Sequence, residues 1–97
     1  MCGILGWCNY KDNSDLSDLR NVSKYIFSRG PDTYGEYKNK YLSLIHTRLS
    51  IIDIHDRSNQ PFKDDINGNV IAFNGEIYNF KILRKELQDL HNINFIT

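Results

Sequence analysis

Cys2-Gly-Ile-Leu-Gly-Trp-Cys8 is a short apolar run closed by Asn9, the pattern of a strand buried on both faces. Its glycines, Gly3 and Gly6, point to close backbone approach. From Asp15 the period changes. Leu16, Leu19, Val22 and Ile26 recur at three- and four-residue steps, with Ser14 as N-cap and Gly30-Pro31 as a stop, which predicts a helix over 15–28. Residues 36–38 and 41–46 then read as a hairpin about Asn39-Lys40, and 47–54 either continues the second strand or is irregular. A polar loop ends in Gln60-Pro61-Phe62. Asn67-Gly-Asn turns into another buried strand over 70–73, broken by Asn74-Gly75. Phe80, Leu83, Leu87 and Leu90 predict a helix from about Asn79 to His91, and 94–96 reads as the start of a further strand. The order is that of an α+β chain.

Charge narrows the function. Twelve Lys+Arg balance twelve Asp+Glu, so nothing favours a polyanionic partner, nucleic acid or acidic membrane. Arg48 and Asp53 interrupt the most apolar region, which is too short to cross a bilayer. Two cysteines six residues apart on one extended strand cannot bridge each other, which points to a reduced, cytoplasmic setting. His46, His55 and His91 lack metal-ligand spacing with either cysteine, so no metal is assigned. The glycines match neither usual nucleotide fingerprint.

Three features can carry chemistry. Removal of Met1 would give Cys2 a thiol and a free α-amine on one residue, a nucleophile with its own base; alone, a cysteine here is more simply a small buried hydrophobe. Asn74-Gly75 can aim a side-chain amide and a backbone N–H at an oxyanion, or be an ordinary turn. Arg48, set among apolar residues, calls for a carboxylate partner from the protein or from a substrate.

Five segments in order, Met1-Cys-Gly-Ile-Leu-Gly6, Arg29-Gly-Pro-Asp32, His46-Thr-Arg-Leu-Ser-Ile-Ile-Asp53, Gln60-Pro61 and Phe73-Asn-Gly-Glu-Ile-Tyr-Asn79, run the length of the chain. Together they resemble the class II glutamine amidotransferase domain of the N-terminal-nucleophile type, most closely that of asparagine synthetases. The resemblance implies a four-layer αββα sandwich, of which residues 1–97 are the first half. It implies that Cys2 attacks the side-chain amide of L-glutamine to form a γ-glutamyl thioester and release ammonia. Asn74 and Gly75 would form the oxyanion hole, Arg48 would pair with the α-carboxylate, and Glu76 would take the α-amino group. The backbone of Leu49, Ser50, Ile51 and Ile52 would line the pocket, Arg29 to Asp32 would border it, and Cys8 would be a core residue.

No cofactor is implied for this segment. ATP and Mg belong to a C-terminal synthetase domain, absent here, that makes asparagine from aspartate, and a homodimer of the full-length protein is open. The remaining strands of the second sheet, and an aspartate that also holds the substrate ammonium, are expected in the family just beyond this segment. Two other readings compete. One is a catalytically silent module; the other is a related amidotransferase acting on a polysaccharide or peptide carboxylate.

Overall fold

The computed structural model describes residues 1–8 and 19–96. Strands β1 (Gly3–Cys8), β2 (Thr33–Lys38) and β3 (Leu42–Arg48) form an antiparallel sheet in the order β1-β3-β2. A second, two-stranded sheet pairs β4 (Phe62–Lys63) with β5 (Val70–Ile71). Helices α1 (Leu19–Ser23) and α2 (Phe80–His91) complete an α+β arrangement, with short 3-10 turns at Phe27–Arg29 and Asp56–Ser58. Among the described residues no helix is long and apolar enough to cross a membrane.

The hairpin is written locally. Asn39 donates its N–H to the Leu42 carbonyl, and its side-chain oxygen accepts the N–H groups of Tyr41 and Leu42, each at 2.8 Å. One asparagine thus satisfies the backbone of the turn predicted at Asn39-Lys40.

Residues from both faces of β3 are buried: Ser43, Ile45 and Thr47 on one row, His46 and Arg48 on the other. On the first row Thr47 donates to the Ile26 carbonyl at 3.2 Å, and a side chain at Gly3 would meet both residues. On the second row, Gly35 stands opposite His46 and lets the Gln60 carbonyl approach a point that a Cβ would occupy.

Two-sided burial therefore belongs to β3 and not to β1, where it was expected. β1 pairs only along β3 and is an edge of its sheet; Trp7 is 46% exposed, Ile4 is exposed, and Cys8 is exposed rather than in the core. Apolar content alone does not separate an edge strand from a central one.

Of the helix predicted over 15–28, Ser14 to Asp18 lie outside the described residues, and the α-helix ends at Ser23. The Ser23 hydroxyl bonds back to the Arg20 carbonyl at 2.6 Å, and beyond it the backbone closes tighter three-residue turns, Tyr25 N–H to the Val22 carbonyl, Ile26 N–H to Ser23 and Arg29 N–H to Ile26, each at 3.0 Å. β5 stops after two of its four expected residues, because the Phe73 N–H goes to the Gln60 side chain at 2.6 Å instead of a ladder partner. The second predicted helix is present; Asn92, in the left-handed region at φ 52°, ends it by donating to the Leu87 carbonyl. Residues 94–96 form no strand, and Thr97 lies outside the described residues.

Candidate functional site

Cys2 lies just before β1, beside the residue that follows Arg48 of β3. Its sulfur accepts the Leu49 N–H at 3.4 Å and lies 3.9 Å from the Leu49 carbonyl, and the side chain is part-buried. Its own carbonyl collects two side-chain donors: Arg29 Nε at 3.2 Å and Asn74 Nδ2 at 3.1 Å. The Asn74 contact spans 72 positions in sequence and fixes the Asn74-Gly75 turn against the start of β1. The Gln60 side chain holds that turn from behind, by accepting the Phe73 N–H.

These residues enclose a cleft of about 410 Å³ lined by Cys2, Leu49, Ile51, Ile52, Asn74, Gly75 and Glu76 among the residues foreseen from sequence, and by Met1, Gln60, Phe73 and Tyr78 besides. Gly75 packs so close to the Phe73 ring that a Cβ there would stand 2.6 Å from it. Ser50 is not part of the lining; its N–H is taken by the Asp32 carboxylate at 2.7 Å. The Arg29-Gly-Pro-Asp32 segment thus holds both sides of the cleft, the Cys2 carbonyl at one end and the Ser50 backbone at the other.

Arg48 opens onto a second cleft of about 300 Å³, which shares Ile52, Gln60 and Glu76 with the first. Arg48 is only 6% exposed, and among the described residues its guanidinium finds no carboxylate. Nη1 donates to the His55 carbonyl at 3.2 Å and to Asn59 Oδ1 at 2.9 Å, while Nη2 donates to the Ile52 carbonyl at 3.1 Å and to the Asp53 carbonyl. Each Nη carries two hydrogens, so the four acceptors match them one for one. The loop after β3 is wound around this cation.

From outside, the same loop is tied by Asp53, whose backbone is left-handed at φ 48°. The Ser58 hydroxyl close by, with hydrogen bonds from the His55 ring (2.8 Å) and Arg57 Nε (3.1 Å), holds its carboxyl well below the usual carboxylate range.

His46 lies 1% exposed beneath the cleft, on the row of β3 that carries Arg48. Burial pushes its pKa below the ordinary value; the Phe73 carbonyl facing the ring opposes that weakly, and the nearby Arg48 charge adds to it. Neither ring nitrogen has a hydrogen-bond partner of normal geometry.

Gln60, Asp32, Phe73 and Tyr78 belong to motifs legible in the sequence, with no sign there of what they hold. Asn59 carried no signal as a site residue.

Among curated proteins, the chain is 41% identical to an asparagine synthetase [glutamine-hydrolyzing] of Brassica oleracea, over 92% of this chain and 15% of the relative. It is 39% identical to asparagine synthetase B [glutamine-hydrolyzing] of Escherichia coli (strain K12), over 92% of this chain and 16% of the relative. It is 32% identical to Amidase chry2 of Gibberella zeae, over 92% of this chain and 15% of that protein. The chain thus spans about 15% of the length of the relatives it matches. No solved structure matches it. The family described as the glutamine amidotransferase domain matches residues 1–97. With the sequence motifs gathered on one cleft and the match running from end to end, the chain belongs to the glutamine amidotransferase domain family.

Proposed function

We propose that this cleft hydrolyses the side-chain amide of L-glutamine and that the ammonia released serves ATP-dependent asparagine synthesis by a separate, C-terminal synthetase domain. The observation that carries the reading is the meeting of the Cys2 thiol, the Asn74 amide and the Gly75 backbone in one cleft, from opposite ends of the chain.

Met1 lines the same cleft and blocks the Cys2 amine as a peptide bond, so its removal precedes activity. The freed α-amine, with a reference pKa near 8, then takes the thiol proton near neutral pH. The Cys2 sulfur attacks the amide carbon, and the new C–S bond places negative charge on the amide oxygen. One N–H of Asn74 is spent on the Cys2 carbonyl; the other, with the Gly75 N–H, receives that charge. The C–N bond breaks, nitrogen takes the proton from the α-ammonium and leaves as ammonia, and water hydrolyses the γ-glutamyl thioester.

The amino-acid head of glutamine extends into the adjoining cleft. Glu76, shared by both clefts, takes the α-ammonium. Arg48 takes the α-carboxylate by exchanging loop carbonyls for carboxylate oxygens. The backbone of Leu49, Ile51 and Ile52 walls the pocket. No step in this domain runs through ATP or Mg.

In this reading the enzyme is cytoplasmic and residues 1–97 are the first half of a four-layer αββα domain, the latter supported by the α+β make-up of two small sheets and two helices. Cys2→Ala in the full-length protein tests the function. Glutamine-dependent synthesis should fall by more than about a thousandfold while synthesis from free ammonia stays largely intact. Equal loss of both would reject the assignment.

A further inference from the structure

The acceptors of the Arg48 guanidinium are not equivalent. Three are backbone carbonyls, of Ile52, Asp53 and His55, and belong to the very loop that must yield if a substrate carboxylate is to replace them. The fourth is the Asn59 side chain, which is tied to β2 as well as to the loop. Its Oδ1 also accepts the Thr33 hydroxyl at 3.1 Å, and Thr33 is the residue of β2 that faces Arg48 in the ladder. Its Nδ2 donates to the Asp56 carboxylate at 3.2 Å, and its backbone N–H to the Asp56 carbonyl at 2.9 Å.

The chemistry permits one orientation of this amide. The oxygen must face the guanidinium and the hydroxyl, and the NH2 must face the carboxylate; the reverse would set donor against donor and acceptor against acceptor. Asn59 is therefore a neutral acceptor tied to the sheet. It can hold one edge of the guanidinium without neutralising the charge that a substrate carboxylate would seek.

We propose that Asn59 is a positioning residue for recognition of the glutamine α-carboxylate, holding Arg48 against β2 while the loop carbonyls are exchanged for substrate oxygens. The inference rests on the proposed role of Arg48. A neutral amide suits the task, because an aspartate at the same place would compete with the substrate for the cation.

The test is steady-state glutaminase kinetics of the full-length protein. Asn59→Ala should raise the KM for glutamine by about tenfold and leave kcat within about twofold, since the reacting amide is held elsewhere. Asn59→Asp keeps size and both acceptor contacts; it too should raise KM by about tenfold or more, and it decides the matter should the alanine variant fail to fold. Arg48→Lys should raise KM on its own, and in the double variant Asn59→Ala should add little, because a lysine no longer presents the edge that Asn59 holds. A merely structural Asn59 would instead multiply the two effects. An unchanged KM in Asn59→Asp, or multiplicative effects in the double variant, would overturn the proposal. An unchanged KM in Arg48→Lys would overturn the reading of Arg48 itself, and the role of Asn59 with it.

Discussion

The β1-β3-β2 sheet and helix α2 are both written in alternating or periodic apolar positions, yet they meet different fates. In β3, Ile45 is fully buried and both rows of side chains are covered, one by the segment around Ile26 and the other by Gln60 and the Arg48 loop. In α2 no residue is buried, and Ile82 and Leu90 are each 69% exposed. The helix is nonetheless formed and properly ended. The end of α2 is set locally by Asn92, whereas burial requires partners from distant sequence, and β3 has them on both sides. The candidate site lies where the turn that precedes α2 is joined to the start of β1, by Asn74 on the Cys2 carbonyl.

Breaking that junction should have the largest effect. Asn74→Ala removes an oxyanion donor and the tie to β1 together, and should lower glutaminase kcat by about a hundred- to a thousandfold. A change confined to KM would show that Asn74 only shapes the pocket.

The contrast in burial is tested next. Ile45→Ala should cost ~2–5 kcal/mol of stability in denaturant unfolding, as expected for a fully buried side chain flanked by Leu5 of β1 and Glu36 of β2.

A smaller effect should appear on acidification. The buried His46 is held neutral, with its pKa below the ordinary 6.5. The unfolded chain therefore binds more protons, so stability is full above about pH 6.5 and is lost as pH falls toward the lowered value. Unfolding midpoints from pH 8 to 5 should decline, and His46→Gln should flatten the slope above pH 5. A midpoint that rose on acidification would contradict the sign. Asp53, also held low, acts in the same direction at more acidic pH.

Leu83→Ala on the exposed face of α2 should change stability least, by less than ~1 kcal/mol. A loss as large as that of Ile45→Ala would erase the contrast between the two regions.

What was legible in the sequence follows the same division. The Asn39 hairpin and α2 were readable because their stabilising contacts are local. The end of β5 was not, since the Gln60 side chain captures the Phe73 N–H from thirteen residues away. The apolar run at β1 was read as doubly buried because hydrophobicity does not say which strand is central. Arg48 was rightly expected to need partners, but a carboxylate was expected and backbone carbonyls answer instead. Cys2, Asn74, Gly75 and Glu76, which share a cleft, came from recognisable motifs, whereas Asn59 became visible only through its contacts with Thr33, Arg48 and Asp56.

The central claim, that Cys2 is the nucleophile of this cleft, is tested most directly by trapping the intermediate. Full-length protein is mixed with glutamine, quenched in acid within milliseconds, and peptide-mapped by mass spectrometry. The account predicts a γ-glutamyl group, labile to hydroxylamine, on an N-terminal peptide that begins at Cys2. Turnover with Cys2 unmodified, or with the label on the exposed Cys8 instead, would contradict it.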